Sequence, residues 1–69
     1  MTQQEKRRLF EIACTRERCA ERARSDYGWG SDRALFASAA YDGCAEIIRE
    51  LGLEQEYGQW KRNREVYQI

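Results

Sequence analysis

The stretch that most constrains this chain runs over residues 34–51, ALFASAAYDGCAEIIREL. Placed on a helix at 100° per residue, its apolar and small side chains cover about 200° of the circumference. Phe36, Ala40, Ile47 and Leu51 form one seam, and Ala37, Tyr41, Cys44 and Ile48 form a second beside it. Ser38, Asp42, Glu46, Arg49 and Glu50 share the polar strip that remains. A surface helix normally buries one stripe. Two seams therefore predict a helix covered from both sides, the central member of a small all-α bundle.

The remainder of the chain agrees with helices. It contains no proline and only five glycines among 69 residues, which disfavours a turn-rich β fold. Apolar residues at 42% and charged residues at 35% suit a globular domain rather than a disordered tail. The expectation is a single helical domain over residues 1–69, complete from Met1. Leu9-Phe10 is followed at once by charge, unlike a signal peptide, and no apolar run reaches membrane length. A soluble, cytoplasmic protein is expected. A chain of this size buries only about 60% of its unfolded surface. A net stability of about 3–5 kcal/mol follows, and association would add to it.

Local signals divide the chain into three helices. Thr2-Gln3-Gln4-Glu5 fits a capping box, so a first helix is predicted from about Gln3 to Asp26. Its apolar stripe reads Leu9, Ile12, Ala13, Cys19, Ala20, Ala23 and Tyr27. Ion pairs at helical spacing, Arg7–Glu11, Arg18–Glu21, Glu21–Arg24 and Arg22–Asp26, mark an outer face. Arg16 falls inside the stripe, where it either snorkels from the flank or pairs with a carboxylate of the second helix. Phe10 falls outside it, and either packs under the C-terminal segment or makes a partner contact.

Gly28 suits a helix stop and Ser31 or Asp32 the next N-cap. A loop this short joins antiparallel neighbours, so the first two helices form an αα-hairpin. Trp29 is expected to lid its end, with a partner contact as the alternative. Gly52 closes the long second helix. A short third helix follows from Leu53 to about Arg64, with Leu53, Tyr57 and Trp60 on one face. Residues 65–69 alternate apolar and polar, compatible with continued helix that pairs Tyr67 with Trp60 or with an extended tail.

Chemistry is sparse. Cys14, Cys19 and Cys44 are an odd count without C-x-x-C spacing, and there is no histidine. That predicts reduced thiols, no disulfide framework and no metal. Cys19 and Cys44 read as small core residues and Cys14 as an exposed thiol. With no nucleophile elbow, phosphate loop or metal cluster, the chain reads as a non-enzyme without cofactors.

Charge distribution points to binding instead. The net charge is zero, yet residues 1–30 carry seven basic and five acidic groups, against two basic and six acidic over residues 31–60. Asp42, Glu46 and Glu50 stand four residues apart in one acidic ridge, which Glu54 extends. Like charges at this spacing repel by a few tenths of a kcal/mol per pair. They form either a solvated face or a partner surface. A second candidate is the basic aromatic segment around Trp60, Arg62 and Arg64, which resembles a single-strand nucleic-acid contact. A helix-turn-helix fits poorly, because the third helix would lead with Glu54 and Glu56 toward phosphates. The expected function is a protein–protein interaction module, an adaptor or inhibitor of another protein. In size and make-up it is similar to small accessory proteins of phages and mobile elements. Nucleic-acid binding by the C-terminal segment is the alternative. The doubled seam on so short a chain also suggests apolar surface left over for self-association, most simply a two-fold dimer, unless the third helix and tail cover it.

Overall fold

Thr2 opens the first helix as predicted. Its hydroxyl accepts from the Glu5 backbone N–H at 3.1 Å, and the Glu5 carboxylate accepts from the Thr2 N–H at 3.0 Å. This reciprocal box satisfies donors that a helix start leaves orphaned. The bonds also hold the Glu5 carboxyl below its ordinary pKa. α1 (Gln3–Tyr27) runs from here to Gly28, whose φ of 90° is a conformation that glycine adopts without strain. Ser31 then caps α2 (Asp32–Glu50), accepting from the Ala34 N–H at 3.2 Å while donating to the Gly28 carbonyl at 2.8 Å.

α2 closes on Gly52, at φ 69°. The Gly52 N–H bonds the Arg49 carbonyl and the Leu53 N–H bonds the Ile48 carbonyl, at 3.0 and 2.9 Å. These two bonds and the positive φ form a Schellman motif. Its hydrophobic pair is Leu53 with Ile48, and both are buried. The cap therefore turns the chain and delivers Leu53 to the core in one step, from which α3 (Glu54–Tyr67) departs.

The computed structural model describes residues 1–67, with side chains as far as Arg64. Among these residues there are three helices and no strand, a small all-α three-helix bundle built on an αα-hairpin. Residues 65–67 continue α3, the helical alternative. The pairing of Tyr67 with Trp60 lies outside the described side chains, as do residues 68 and 69.

α1 and α2 pack along their length, whereas α3 meets each of them over a small area. The core joins Phe10, Ala13 and Cys14 of α1 to Cys44 and Ile48 of α2, and closes with Leu53 and Tyr57. Leu9 and Trp60 pack on its margin. Alanines at 13, 20 and 34 are buried where the hairpin helices meet. Their size permits close approach.

The expectation of an α2 covered from both sides is corrected. Ala37, Tyr41, Cys44 and Ile48 pack inward, but Phe36, Ala40, Ile47 and Leu51 all face solvent. Among the described side chains, the large apolar groups of Leu53 and α3 are Leu53, Tyr57 and Trp60, and these are used against Phe10 and the Ile48 side of the hairpin. Among the described side chains none is left to cover the second seam.

The α1 stripe is corrected as well. The buried residues Phe10, Ala13, Cys14 and Ala20 point about a quarter turn from the predicted centre. α1 must serve two neighbours, and the Phe10 ring, tilted against Tyr57 and Trp60 at 5.4 and 5.8 Å, sets its orientation. Cys14 turns inward with Phe10, while Cys19, Ile12 and Tyr27 turn outward. The roles expected of Cys14 and Cys19 are thereby exchanged.

Candidate functional site

The outward face of the hairpin is the side turned away from α3. Two contacts fix how its helices align. The Arg16 guanidinium reaches the Cys44 sulfur at 3.2 Å, and that of Arg24 donates to the Ser38 hydroxyl at 2.9 Å. Arg16 itself is exposed, so it snorkels along the flank, and no carboxylate pairs with it among the described residues. Ile12, Cys19 and Ala23 share its side of α1, and Ala40, Ile47 and Leu51 border Cys44 on α2.

The exposed side chains on this face are large. Phe36 is 78% exposed, Ile47 50% and Leu51 49%. By contrast, Ile48 is the largest side chain the fold buries completely. The acidic ridge runs along the outer edge of α2. Asp42, Glu46 and Glu50 are all exposed, and none has a cationic partner within 4 Å among the described residues. On α1 the face carries both signs, Arg8 and Glu11 at its far edge and Arg16 toward α2. Arg8, Glu11, Ile12, Thr15 and Arg16 line a shallow hollow there of about 300 Å³, and Glu11 is already paired with Arg7 at 3.8 Å.

The second predicted site is placed differently. Trp60 is half-buried, stacked on Tyr57 at 6.2 Å, with the Arg64 guanidinium 5.1 Å from its ring centre. Lys61 is committed to Glu17, reaching both carboxylate oxygens at 3.1 Å. Arg62 is exposed and donates to Gln59 at 3.2 Å. The segment thus keeps its arginines near solvent, while its aromatic packs on the core and its lysine is neutralised.

Sequence reasoning did not foresee the cluster behind Trp60. The Tyr57 hydroxyl donates to Glu17 at 3.0 Å, and the Lys61 ammonium also sits 4.6 Å from the Tyr57 ring centre. Burial first, then the hydrogen bond and negative charge of Glu17, push the Tyr57 phenol well above its ordinary pKa. Burial raises that of Tyr41 too. The spacing of Tyr57 and Lys61 by four was a visible signal, but Glu17 lies on another helix. A second tie, Lys6 to Glu56 at 3.2 Å, joins the start of α1 to α3. Trp29 does not lid the hairpin. It is 76% exposed, with the Arg24 guanidinium 4.7 Å from its ring centre.

The sequence matches no protein-family model, and no match to it was found among the curated proteins or the solved structures.

Proposed function

We propose that this protein is a non-enzymatic interaction module, an adaptor or inhibitor, that works through the outward face of its α1–α2 hairpin. One observation carries the reading: Phe36, Ile47 and Leu51 stand open in a single stripe beside the unpaired carboxylates Glu46 and Glu50. Fully burying side chains of this kind is worth about 1.5–3 kcal/mol each. An uncovered row is therefore binding energy held in reserve. The acidic margin, with Asp42 beyond it, favours a partner surface with basic character and speeds its encounter. The same carboxylates disfavour an anionic membrane surface, so a second protein surface is the occupant this face suits.

Nucleic-acid binding through Trp60, Arg62 and Arg64 has weaker support. Trp60 is engaged by Tyr57 and Phe10, so little of its ring is open for a base to stack upon.

Affinity capture from the cells that make the protein tests the two sites against each other. Phe36→Asp with Ile47→Asp should abolish capture while the helical circular dichroism stays unchanged. Lysine at positions 42, 46 and 50 should weaken it in a salt-dependent way. Capture that survives both changes but fails with Arg62→Glu and Arg64→Glu would move the function to the C-terminal end.

A further inference from the structure

We propose that the occupant of this face is a single amphipathic helix of another protein, with a carboxylate at the middle of its apolar row and basic residues along one flank. The inference rests on the reading of this face as the interaction surface, and states the chemistry of what covers it.

The backbone of the face limits what can lie on it. Its N–H and C=O groups belong to the ladders of α1 and α2, so the face offers no bonds to a visiting main chain. A segment pressed against it must satisfy its own backbone, which a helix does and a single strand does not. The dimensions suit one helix. From Phe36 to Leu51 the open seam rises about 22 Å, the length of a four-turn helix. Beside it, small side chains floor the junction of the hairpin, Ala40 on α2 and Cys19 and Ala23 on α1. A third helix axis can approach closely there.

Arg16 decides what the middle of that helix must carry. Its guanidinium reaches the Cys44 sulfur across the junction, with Ile12 one turn away on α1 and Ile47 near Cys44 on α2. Arg16 is exposed, so water solvates it, and any cover removes that water. A thiol is a weak acceptor and leaves most of the guanidinium donors unmet. No carboxylate lies within 4 Å of it among the described residues. A wholly apolar occupant would therefore bury an unpaired cation. One carboxylate at this point answers two donors at once. It also fixes the register of the helix, as a single buried polar residue does in a coiled coil.

The two edges of the face differ in charge. Beyond Ile47, Glu46 and Glu50 are exposed and unpaired among the described residues, so the flank that meets them is basic. The α1 edge carries Arg8 and Glu11 together and sets no sign. A helix with one charged flank fits in one direction only. The central carboxylate sets its register and the basic flank its polarity.

Fluorescence anisotropy with synthetic helical peptides is the test. The probe is an alanine-rich peptide of about 18 residues, long enough to hold a helix in water. It carries a row of leucines, a glutamate at the middle of that row and lysines along one flank. The wild type should bind it about tenfold more tightly than the same peptide with leucine at the middle, the worth of a charged hydrogen bond. Arg16→Leu should reverse that order. Exchanging the lysine flank for glutamate should weaken binding to the wild type and strengthen it to Glu46→Lys with Glu50→Lys. Circular dichroism checks that each variant keeps its helices, and the peptide exchanges need no change in the protein. Equal binding of the two central residues by the wild type overturns the proposal, as does a preference that survives Arg16→Leu. A wild type that sediments as a dimer, split by Phe36→Asp with Ile47→Asp, also overturns it, by placing a second copy on the face. If no peptide binds yet partner capture is still lost with Phe36→Asp and Ile47→Asp, the helix falls and the proposed function stands.

Discussion

Two seams lie side by side on α2 and meet opposite fates. The inner one, Ala37, Tyr41, Cys44 and Ile48, packs inward with two small and two large side chains. The outer one, Phe36, Ala40, Ile47 and Leu51, is the bulkier and stays in water. Hydrophobicity does not separate them. What separates them is whether the chain supplies a surface to lie against. α1 presents Ala13 and Ala20 to α2, and the Schellman cap brings Leu53 beneath Ile48, so the inner seam is covered from two directions. The outer seam has no such supply among the described residues. Alanine and cysteine make up three of the seven core residues, so the core is a modest one, and three large apolar side chains of α2 remain open outside it.

The sharpest way to break this contrast is at Ile48. Replacing it by aspartate sets an unpaired charge where the inner seam, Leu53 and Phe10 converge. That should cost more than about 4 kcal/mol, as much as a domain of this size has to lose. Loss of the cooperative thermal transition would show it; an unchanged melt would mean the inner seam is not the core.

A smaller effect is expected at Tyr57, which ties α3 to the inner side. Tyr57→Phe removes the hydrogen bond to Glu17 and should cost about 1 kcal/mol near neutral pH. Its pH signature is more diagnostic. The folded phenol has a raised pKa, so the folded state holds its proton more tightly than the unfolded chain. That contribution is fully present below the unfolded value of about 10 and is lost as pH climbs above it. Urea titrations at pH 8 to 11 should show stability falling in the wild type and a flatter slope in Tyr57→Phe. Tyr41 works in the same direction and keeps the variant's slope from vanishing.

The smallest effect belongs to the outer seam. Phe36→Ser should change the stability of the protein alone by no more than about 0.5 kcal/mol, as for an ordinary surface position. With a partner helix present the same variant should lose the stability that binding adds. A large loss without a partner would mean the seam is covered within the monomer.

How much of this was legible in the sequence follows from the range of the interactions. Signals confined to a few residues were read accurately. The Thr2–Glu5 box, the Ser31 cap and the turns at Gly28 and Gly52 are local hydrogen-bond chemistry, and each stands where its residues predict. Arg7–Glu11 and Arg22–Asp26 form, being one turn apart on one helix. Arg24, expected to pair with Glu21, instead reaches across to Ser38 and Trp29. The errors lie where the third dimension decides. The face that α1 buries depends on where α3 docks, and one aromatic, Phe10, outweighed a seven-residue stripe. The candidate site was half legible: the ridge Asp42, Glu46 and Glu50 was found, but the seam beside it was assigned to the interior, with self-association as the use of whatever surface was left over. The sparse apolar face of the third helix, Leu53, Tyr57 and Trp60, was the available warning that α2 could not be covered twice.

The slender attachment of α3 has one more consequence. Beyond its backbone connection, α3 is held among the described side chains by Leu53, the Tyr57 and Trp60 rings and the ties of Glu17 and Lys6. A unit held so lightly opens and recloses while the rest of the fold persists, as native-state exchange finds for weakly packed segments. Beneath it lies Cys14, a buried thiol with no disulfide partner. The molecule thus carries a clock for its own breathing. Cys19 will react with a thiol reagent at once. Cys14 will react only as often as the third helix lifts, and its labelling rate, compared with global unfolding, gives the free energy of that partial opening.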